Sequence, residues 1–304
     1  MRVGYIGLGA MGGALARHLV AKHELTVLDR NMTIVSEFER LGAKGASSPA
    51  EVARLSDVVL LCLPRSADVR EVIFGTNGMV DHLAQGAIVV DQTSGAPDET
   101  REFARLLAER GVSLIDAPVS GAMATAIAGT ISIIASGPHA VFEKAAPVLR
   151  DISPNVFHCG ERVGNGQTMK AVNNMMNVGC RLATLEVVAM GRKMGLRLES
   201  MTEAINHTTA RNFTSQGMLH AIAEGRQSTK FGLALQIKDV NQAISLGIAQ
   251  GVAMPVATTM RGLLQIGLNS LGENAQLEQM IGVIESMAGT RFRHQPDNAQ
   301  ATEH

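Results

Sequence analysis

The sequence is poor in aromatic residues: among 304 residues it has no tryptophan, one tyrosine and eight phenylalanines. The core must therefore consist mostly of aliphatic side chains and the 16 methionines. There are only three cysteines, Cys62, Cys159 and Cys180, far apart in sequence. Because they form no C-x-x-C pair, neither a zinc knuckle nor a disulfide framework is predicted, and we expect no metal and a reducing, cytoplasmic setting.

The sequence also lacks a surplus of charge and a long apolar run. It has 27 basic and 28 acidic residues, so no overall field favours nucleic acid or an anionic membrane surface. Glycines interrupt the apolar N-terminus, and no run reaches the ~18 residues of a membrane span. We expect no signal peptide, no membrane and no nucleic-acid partner. A hydrophobic content of 46% is typical of a globular protein, here of about two domains.

The first half of the chain alternates short apolar runs with helical stretches. The runs are Val3 to Ile6, Leu25 to Leu28, Val58 to Leu63, Ala87 to Val90, Val112 to Ile115, Ile131 to Ala135 and Val156 to His158. Near-continuous apolar runs are typical of strands that helices cover on both faces. Residues 1–163 are therefore predicted to form an α/β Rossmann-like domain with a mostly parallel sheet, closed by the last two strands.

The second half is predicted to be all-helical. From Gly164 to about residue 193, apolar residues recur at helical spacing, which indicates one very long linking helix. Further helices are predicted over residues 233–250, 255–270 and 276–288. Residues 164–290 thus form a second, helical domain. The polar residues 291–304 lack periodicity and are predicted to be a tail.

A glycine-rich turn directly follows the first strand and opens the first helix. Its residues are Gly7, Leu8, Gly9, Ala10, Met11 and Gly12. In this context glycines permit close backbone approach, and the helix N-terminus presents N–H groups to a pyrophosphate. The alternative is a turn that only packs the helix on the strand. We predict that this turn binds a dinucleotide.

Asp29 ends the second strand, where a carboxylate can accept hydrogen bonds from ribose hydroxyls. A carboxylate there repels a 2′-phosphate, which favours NAD over NADP. The neighbouring Arg30 argues the other way, because a guanidinium suits a 2′-phosphate. A helix cap is the alternative role for Asp29.

Polar and turn residues follow other strands of the predicted sheet. Leu63 and Pro64 end one strand and Ser94 follows another, at the carboxyl ends where ligands bind in open sheets. After a further strand, Ser120 and the N–H groups of Gly121 and Ala122 can hold a carboxylate. Ordinary turns explain each of these features equally well.

The long helix begins with Lys170 and Asn174 at positions i and i+4, hence on one face. A hydroxyl whose carbon loses a hydride must also lose its proton, and a lysine amine can take that proton. Taken alone, a lysine at a helix start is more often a solvated charge. Lys238, in an otherwise apolar helix, can reach a cofactor or simply pair with Asp239.

Four motifs occur in order: GLGAMG at 7–12, DAPVSGA at 116–122, GNGQTMKAVNN at 164–174 and KDVNQA at 238–243. In these motifs the sequence resembles the β-hydroxyacid dehydrogenase family, which includes 3-hydroxyisobutyrate dehydrogenase and tartronate semialdehyde reductase and is related to 6-phosphogluconate dehydrogenase. The resemblance extends from Arg2 to about Met287. It implies an oxidoreductase that moves a hydride between a nicotinamide and the alcohol carbon of a small 3-hydroxy acid, or reduces the corresponding semialdehyde.

The resemblance also implies roles for single residues and a homodimer or homotetramer. Lys170 matches the acid/base catalyst, and Asn174 matches an asparagine that helps to hold the substrate. The substrate carboxylate is expected at Ser120 and Gly121, and the expected substrate site includes the neighbouring Ala122 and Asn173. Ser94 and Lys238 match residues that contact the cofactor.

The sequence departs from the family pattern in two places. Ala122 replaces the last glycine of the usual S-G-G. Residues 206–213 replace a loop richer in glycine and serine, and they include His207 and Arg211. Near the substrate these two residues would favour a more polar or dianionic acid; the favoured interpretation is that they lie on the surface.

Two other functions compete with the dehydrogenase hypothesis. An imine reductase shares the two-domain plan but generally lacks the catalytic lysine. A non-catalytic NAD-sensing protein would bind NADH without turnover. Lys170 argues against both, and Asn174 also argues against the sensor.

Overall fold

A computed structural model describes residues 1–293 of the chain. The chain divides into two compact units, of which the first is Met1–Lys170 and the second begins at Ala171. This division, after Lys170, falls inside the long helix. The sequence predicted a domain boundary after residue 163, just before that helix. The reason for the difference is that the start of this helix is hydrogen-bonded to Asp116, Ser136 and Thr93 of the first unit.

The strands of the first unit are β1 (Arg2–Ile6), β2 (Glu24–Leu28), β3 (Lys44–Gly45), β4 (Val58–Leu61), β5 (Ile88–Asp91), β6 (Ser113–Asp116), β7 (Val119–Ser120), β8 (Ser132–Ala135) and β9 (Val156–His158). Six of them form a parallel sheet in the order β3-β2-β1-β4-β5-β6. The order reverses between β1 and β4, and ligands of open α/β sheets bind at the carboxyl ends near such a reversal.

Helices cover both faces of this sheet in two separate apolar layers. They are α1 (Ala10–Arg17), α2 (Met32–Arg40), α3 (Pro49–Arg54), α4 (Ser66–Phe74), α5 (Pro97–Ala108), α6 (Met123–Ile127) and α7 (His139–Ile152). The central strands β4 and β5 are buried at every position, which is why they are recognisable as apolar runs. The predicted Rossmann-like fold is confirmed.

The last strands do not extend the large sheet. β8 and β9 pair in parallel with each other, and β7 joins β8 antiparallel, so that they make a separate three-stranded sheet. The sequence predicted β8 and β9 but not the two-residue strands β3 and β7, because a pair of residues shows no periodicity.

The second unit is helical in its described part. It contains most of α8 (Asn165–Lys193), then α9 (Leu198–Asn206), a π-helical turn (Thr214–Met218), α10 (Leu219–Glu224), α11 (Leu233–Ala249), α12 (Pro255–Leu271), a 3₁₀ turn (Leu277–Gln279) and α13 (Met280–Ala288). Val178 and Leu182 of α8 pack against Leu233, Ile237 and Val240 of α11 in one core cluster. The predicted long helix and helical domain are confirmed.

The C-terminal prediction needs one correction. Phe292 is fully buried in a core cluster with Leu185 and Ile284, and its N–H donates to Glu285 Oε1 at 2.7 Å. Phe292 is therefore packed rather than part of a tail, and it anchors the chain between the exposed Arg291 and Arg293. Residues 294–304 lie outside the described residues. Within residues 1–293 no helix has the length and apolarity that crossing a bilayer requires.

Candidate active site

The glycine turn after β1 requires glycine at two positions. Gly7 has φ +96°, and a Cβ there would lie 2.3 Å from the carbonyl oxygen of Cys62. A Cβ on Gly12 would lie 2.0 Å from the carbonyl oxygen of Gly7. The middle glycine, Gly9, is exposed and would meet nothing within 4 Å. Gly7 and Gly12 therefore pack the turn, and Gly9 leaves space where a ligand can approach the backbone.

The start of α1 can accept an anion. Gly9 is its N-cap and has no side chain to cap it, and the first turn contains no acidic residue. No N-cap side chain therefore accepts from the N–H groups of Ala10, Met11 and Gly12. These N–H groups carry the partial positive charge of the helix N-terminus. This arrangement fits a pyrophosphate.

Asp29, at the end of β2, is bonded to the glycine turn. Its Oδ2 accepts the N–H of Leu8 at 2.6 Å, and its Oδ1 accepts the N–H of Asn31 at 2.8 Å. The cap of α2 is Asn31, whose side chain accepts the N–H of Thr33, so Asp29 is not that cap. Each carboxylate oxygen keeps a lone pair for a ribose hydroxyl. Arg30 is exposed.

The residues after β4 and β5 meet at the same edge of the sheet. The N–H of Leu63 donates to Thr93 Oγ1 at 3.1 Å. Pro64 is exposed and Ser94 is partly buried. The structure thus brings the predicted Leu63 beside the turn that carries Ser94, at the carboxyl edge that also carries the glycine turn.

A buried carboxylate holds the start of α8. Asp116, the last residue of β6, is fully buried. It accepts hydrogen bonds from Ser136 Oγ at 2.6 Å, the N–H of Gly164 at 2.7 Å and the N–H of Gln167 at 2.8 Å. Burial raises the pKa of Asp116, and these hydrogen bonds oppose the rise. In the sequence Asp116 was recognisable only as part of a motif, and its anchoring role was not predicted.

Gln167 joins the helix to the turn after β5. Its side chain is 1% exposed. Nε2 donates to the carbonyl oxygen of Thr93 at 2.6 Å, and Oε1 accepts the N–H of Gly95 at 3.0 Å. The amide therefore fixes the backbone on both sides of Ser94. The role of Gln167 was not predicted either; its position one turn before the predicted catalytic lysine is the only signal in the sequence.

Asp91 lies beside Asp116 in the register of β5 and β6. It is buried and accepts the N–H of Thr93 at 2.9 Å. Burial raises the pKa of Asp91 to about 7, and the charge of Asp116 adds to the rise. Asp116 accepts more hydrogen bonds than Asp91, and these bonds favour its ionised form.

Lys170 follows Gln167 by about one turn of α8 and is partly buried. Ser120 lies in β7, opposite Ser132 of β8, and it is partly buried, while Gly121 and Ala122 are exposed. The predicted Ser120 is therefore part of a small sheet rather than of a simple turn. Lys170 and these residues belong to the same compact unit as the glycine turn.

The remaining predicted residues lie in the second unit. Asn173 Nδ2 donates to Asn174 Oδ1 at 3.2 Å, and Asn174 Nδ2 donates to Asp239 Oδ2 at 2.9 Å. Lys238 Nζ lies 3.5 Å from Asp239 Oδ1. Lys238 thus pairs with Asp239, which was the alternative role given for it above. Its contact with a cofactor stays a prediction.

His207 and Arg211 are both exposed in this chain. His207 Nδ1 lies 2.9 Å from the carbonyl oxygen of Glu203, one turn earlier, where α9 ends. This placement favours the interpretation of both residues as surface residues.

Two family models match the chain. The NAD-binding domain of 6-phosphogluconate dehydrogenase matches residues 2–160. The model described as the NAD-binding domain of NADP-dependent 3-hydroxyisobutyrate dehydrogenase matches residues 164–284. Together they cover nearly all of the described chain.

Curated relatives match over almost their full length. The chain is 34% identical to 2-(hydroxymethyl)glutarate dehydrogenase of Eubacterium barkeri, over 95% of this chain and 96% of that protein. It is 31% identical to 3-hydroxyisobutyrate dehydrogenase of Pseudomonas aeruginosa, over 91% and 93%.

Solved structures confirm the fold. 3-Hydroxyisobutyrate dehydrogenase of Mycobacterium tuberculosis, solved with L-serine, superposes with a TM-score of 0.83 at 24% identity, over 93% of this chain and 98% of that one. An imine reductase of Myxococcus stipitatus with NAD⁺ has a lower TM-score of 0.63 at 21% identity, over 93% of this chain and 98% of that one. As its four motifs predicted, the chain belongs to the β-hydroxyacid dehydrogenase family, and it is a nicotinamide-dependent hydroxyacid dehydrogenase.

Proposed function

We propose that the protein oxidises a small 3-hydroxy acid with NAD, with the Lys170 amine as the acid/base catalyst. One observation carries this proposal. Gln167 bonds the start of α8 to the turn after β5, and Asp116 bonds it to the end of β6. The helical turn that bears Lys170 is therefore held at the carboxyl edge of the sheet, in the same compact unit as the dinucleotide turn.

The bound nicotinamide supplies a hydride acceptor in oxidation and a hydride donor in reduction. The chain supplies the proton transfer. As the C–H bond of the alcohol carbon breaks and the carbonyl forms, the hydroxyl proton passes to Lys170 Nζ. In the reductive direction the same ammonium returns a proton to the carbonyl oxygen of the semialdehyde.

The substrate carboxylate is assigned to the segment of Ser120, Gly121 and Ala122, whose hydroxyl and backbone N–H groups suit an anion. Asn174 stands one turn after Lys170 on the same helix. Asp239 sets the orientation of the Asn174 amide, because it accepts a hydrogen bond from Nδ2. The amide oxygen, Oδ1, therefore faces away from Asp239 and accepts from Asn173. Asn174 therefore contributes to substrate binding with a defined side of its amide.

NAD is the proposed cofactor because of Asp29. Its carboxylate accepts two backbone N–H groups and lies where a 2′-phosphate would meet negative charge. Changing Asp29→Ala with Arg30 retained should shift the ratio of kcat/KM for NAD over NADP toward NADP. An unchanged ratio would show that Asp29 does not select the cofactor. Ser94 and Lys238 remain proposed cofactor contacts.

The substrate is proposed to be one of the acids named by the relatives, or a similar acid. A panel of 3-hydroxyisobutyrate, 2-(hydroxymethyl)glutarate, L-serine and tartronate semialdehyde, assayed with NAD and with NADP, tests this. Turnover of none of them, together with tight NADH binding, would favour the non-catalytic NAD-sensing alternative.

The role of Lys170 is tested by Lys170→Met. We expect turnover to fall by about 10²- to 10⁴-fold, the size of an acid/base contribution, with the dissociation constant for NADH nearly unchanged. Lys144→Met, at an exposed lysine of α7, is the matched control and should retain turnover. Retained turnover in Lys170→Met, or lost NADH affinity, would show that Lys170 has another role.

A homo-oligomer is proposed from the outer face of α8. Met169, Val172, Met176, Val187 and Met190 recur at helical spacing, and each is at least 42% exposed in the isolated chain. An apolar stripe of this length is typical of a subunit interface. Light scattering should show a dimer or tetramer, and Met176→Lys with Met190→Glu should dissociate it. A monomeric wild-type protein would contradict the proposal.

A further inference from the structure

A buried arginine of the second unit has a side-chain N–H without an acceptor in the described chain. Arg181, on α8, is 7% exposed, and its Nε has no hydrogen-bond acceptor within residues 1–293. Burial lowers the pKa of Arg181, and the negative charge of Glu278 opposes this. A buried cation normally has a hydrogen-bonded counterion, because removing a charge from water is unfavourable.

Glu278 is occupied elsewhere. Its Oε1 accepts the N–H of Ser228 at 2.6 Å and the Ser228 hydroxyl at 2.9 Å. It offsets part of the charge of Arg181 but does not accept its Nε–H. This N–H is therefore a buried donor that an acceptor from outside the described chain can satisfy.

A second unpartnered donor lies on the neighbouring helix. Gln236, on α11, is also 7% exposed, and its Nε2 has no acceptor within the described residues. Two contacts show that the stretch of α11 with Gln236 faces the stretch of α8 with Arg181. Asn174 of α8 is bonded to Asp239 of α11, and Arg181 lies near Glu278, whose neighbour Leu277 is bonded to Phe231. α8 and α11 thus run antiparallel here, and Gln236 lies between the two contacts.

Arg181 shares a helix face with the proposed catalytic residues. At about 100° per residue, Lys170, Asn174, Asn177 and Arg181 fall within an arc of about 60°. Side chains of a helix generally point toward its N-terminus, so we expect the guanidinium of Arg181 to extend toward Asn177 and Asn174. Arg181 is about 10 Å along the helix from Asn174, within reach of the far end of an extended five-carbon acid.

We infer that Arg181 and Gln236 form a subsite for a second carboxylate of the substrate, so that the preferred substrate is a dicarboxylic 3-hydroxy acid. This inference rests on the proposed function. A carboxylate fits because it brings one negative charge and planar acceptors to a guanidinium and an amide N–H. A dianionic phosphate would bring a second charge, and Glu278 already opposes it.

Turnover provides the first test. In wild type, kcat/KM for 2-(hydroxymethyl)glutarate should exceed that for 3-hydroxyisobutyrate. In Arg181→Met this ratio should fall by about 10- to 100-fold, the size of a lost charge-assisted hydrogen bond. Gln236→Leu should lower it several-fold. Arg197→Met, at an exposed arginine of the same unit, is the matched control and should not change it.

Binding of glutarate, which cannot be oxidised, provides a test independent of turnover. Calorimetry on the wild type with NADH should show binding that Arg181→Met abolishes, and glutarate should compete with the hydroxy acid. If wild type binds glutarate in this way but oxidises no hydroxy acid, the proposed function fails and the subsite stands. Unchanged ratios and unchanged glutarate affinity in both Arg181→Met and Gln236→Leu overturn the inference.

Two further results would also overturn it. Non-competitive inhibition by glutarate would show a separate anion site. A loss of the dicarboxylate preference in Arg211→Met but not in Arg181→Met would place the second carboxylate at the exposed arginine. Arg181→Lys guards against misfolding, since it keeps the charge and should retain part of the preference.

Discussion

Gln167 and Gln236 are both buried glutamines on helices, with 1% and 7% of their surface exposed. Gln167 uses both ends of its amide, one on Thr93 and one on Gly95. Gln236 leaves Nε2 without an acceptor in the described chain. The first amide is part of the protein's framework, and the second is a donor available to a ligand.

The same contrast separates two buried charges. Asp116 accepts hydrogen bonds from Ser136, Gly164 and Gln167, whereas the Nε of Arg181 has no acceptor within residues 1–293. A buried polar group that is fully bonded positions its neighbours; one that is not bonded destabilises the fold until a ligand arrives. Stability and ligand response should therefore change in opposite ways in the two regions.

The largest effect is expected at Asp116. Asp116→Ala leaves a hydroxyl and two backbone N–H groups buried without an acceptor, at about 1–3 kcal/mol each. We expect a loss of about 5 kcal/mol in the free energy of unfolding, measured by urea denaturation. A loss below about 1 kcal/mol would show that water replaces the carboxylate.

Arg181→Met is the counterpart of that variant. Because the buried Nε–H of Arg181 has no acceptor in the described chain, replacing this side chain by an apolar one of similar length should change the unfolding free energy by less than about 1 kcal/mol or raise it. Denaturation under the same conditions measures this. A loss comparable to that of Asp116→Ala would remove the contrast between the two charges.

The stability of the protein should depend on pH because of Asp91. The pKa of Asp91 is raised from 3.8 to about 7, so the folded protein binds this proton more tightly than the unfolded chain. Stability from Asp91 is therefore full below pH ~4, falls as the pH rises to about 7 and is flat above, a change of about 4 kcal/mol at most.

Asp91→Asn should remove this dependence, because an amide can accept from Thr93 without ionising. The difference in melting temperature between Asp91→Asn and wild type should grow in favour of the variant from pH 5 to pH 8. Parallel curves for the two proteins would mean that Asp91 is ionised throughout this range.

The smallest effects on stability are expected for substitutions of the two buried glutamines. Gln167→Leu should cost about 2 kcal/mol, because Thr93 and Gly95 lose their partners, and it should lower kcat more than it changes KM, because Lys170 shifts. Gln236→Leu should cost less than about 0.5 kcal/mol. Equal losses of stability in the two variants would mean that Gln236 is as well bonded as Gln167.

These regions also differ in how far the sequence predicts them. β1, β2, β4, β5 and β6 were recognisable because strands covered on both faces have apolar residues at nearly every position. α8 and α11 were recognisable from helical spacing. Such patterns depend on neighbours close in sequence, which a single sequence displays directly.

The bonding of the site residues was not predictable in this way. Asp116 meets Ser136 and Gln167, and Gln167 meets Thr93, across tens of residues of chain. In the sequence Arg181 is one polar position among the apolar ones of α8. Nothing local distinguishes a solvated arginine from a buried one, so its burial and its unpartnered N–H required the structure.

The most direct test of the account follows the hydride itself. The protein is incubated with NAD⁺ and 3-hydroxy acids that carry deuterium on the alcohol carbon, and the nicotinamide is analysed by mass spectrometry and NMR. We predict deuterium at C4 of the nicotinamide with the wild type, and a rate about 10²- to 10⁴-fold lower with Lys170→Met. No label from any acid with the wild type, or equal rates for the two proteins, would contradict hydride transfer assisted by Lys170.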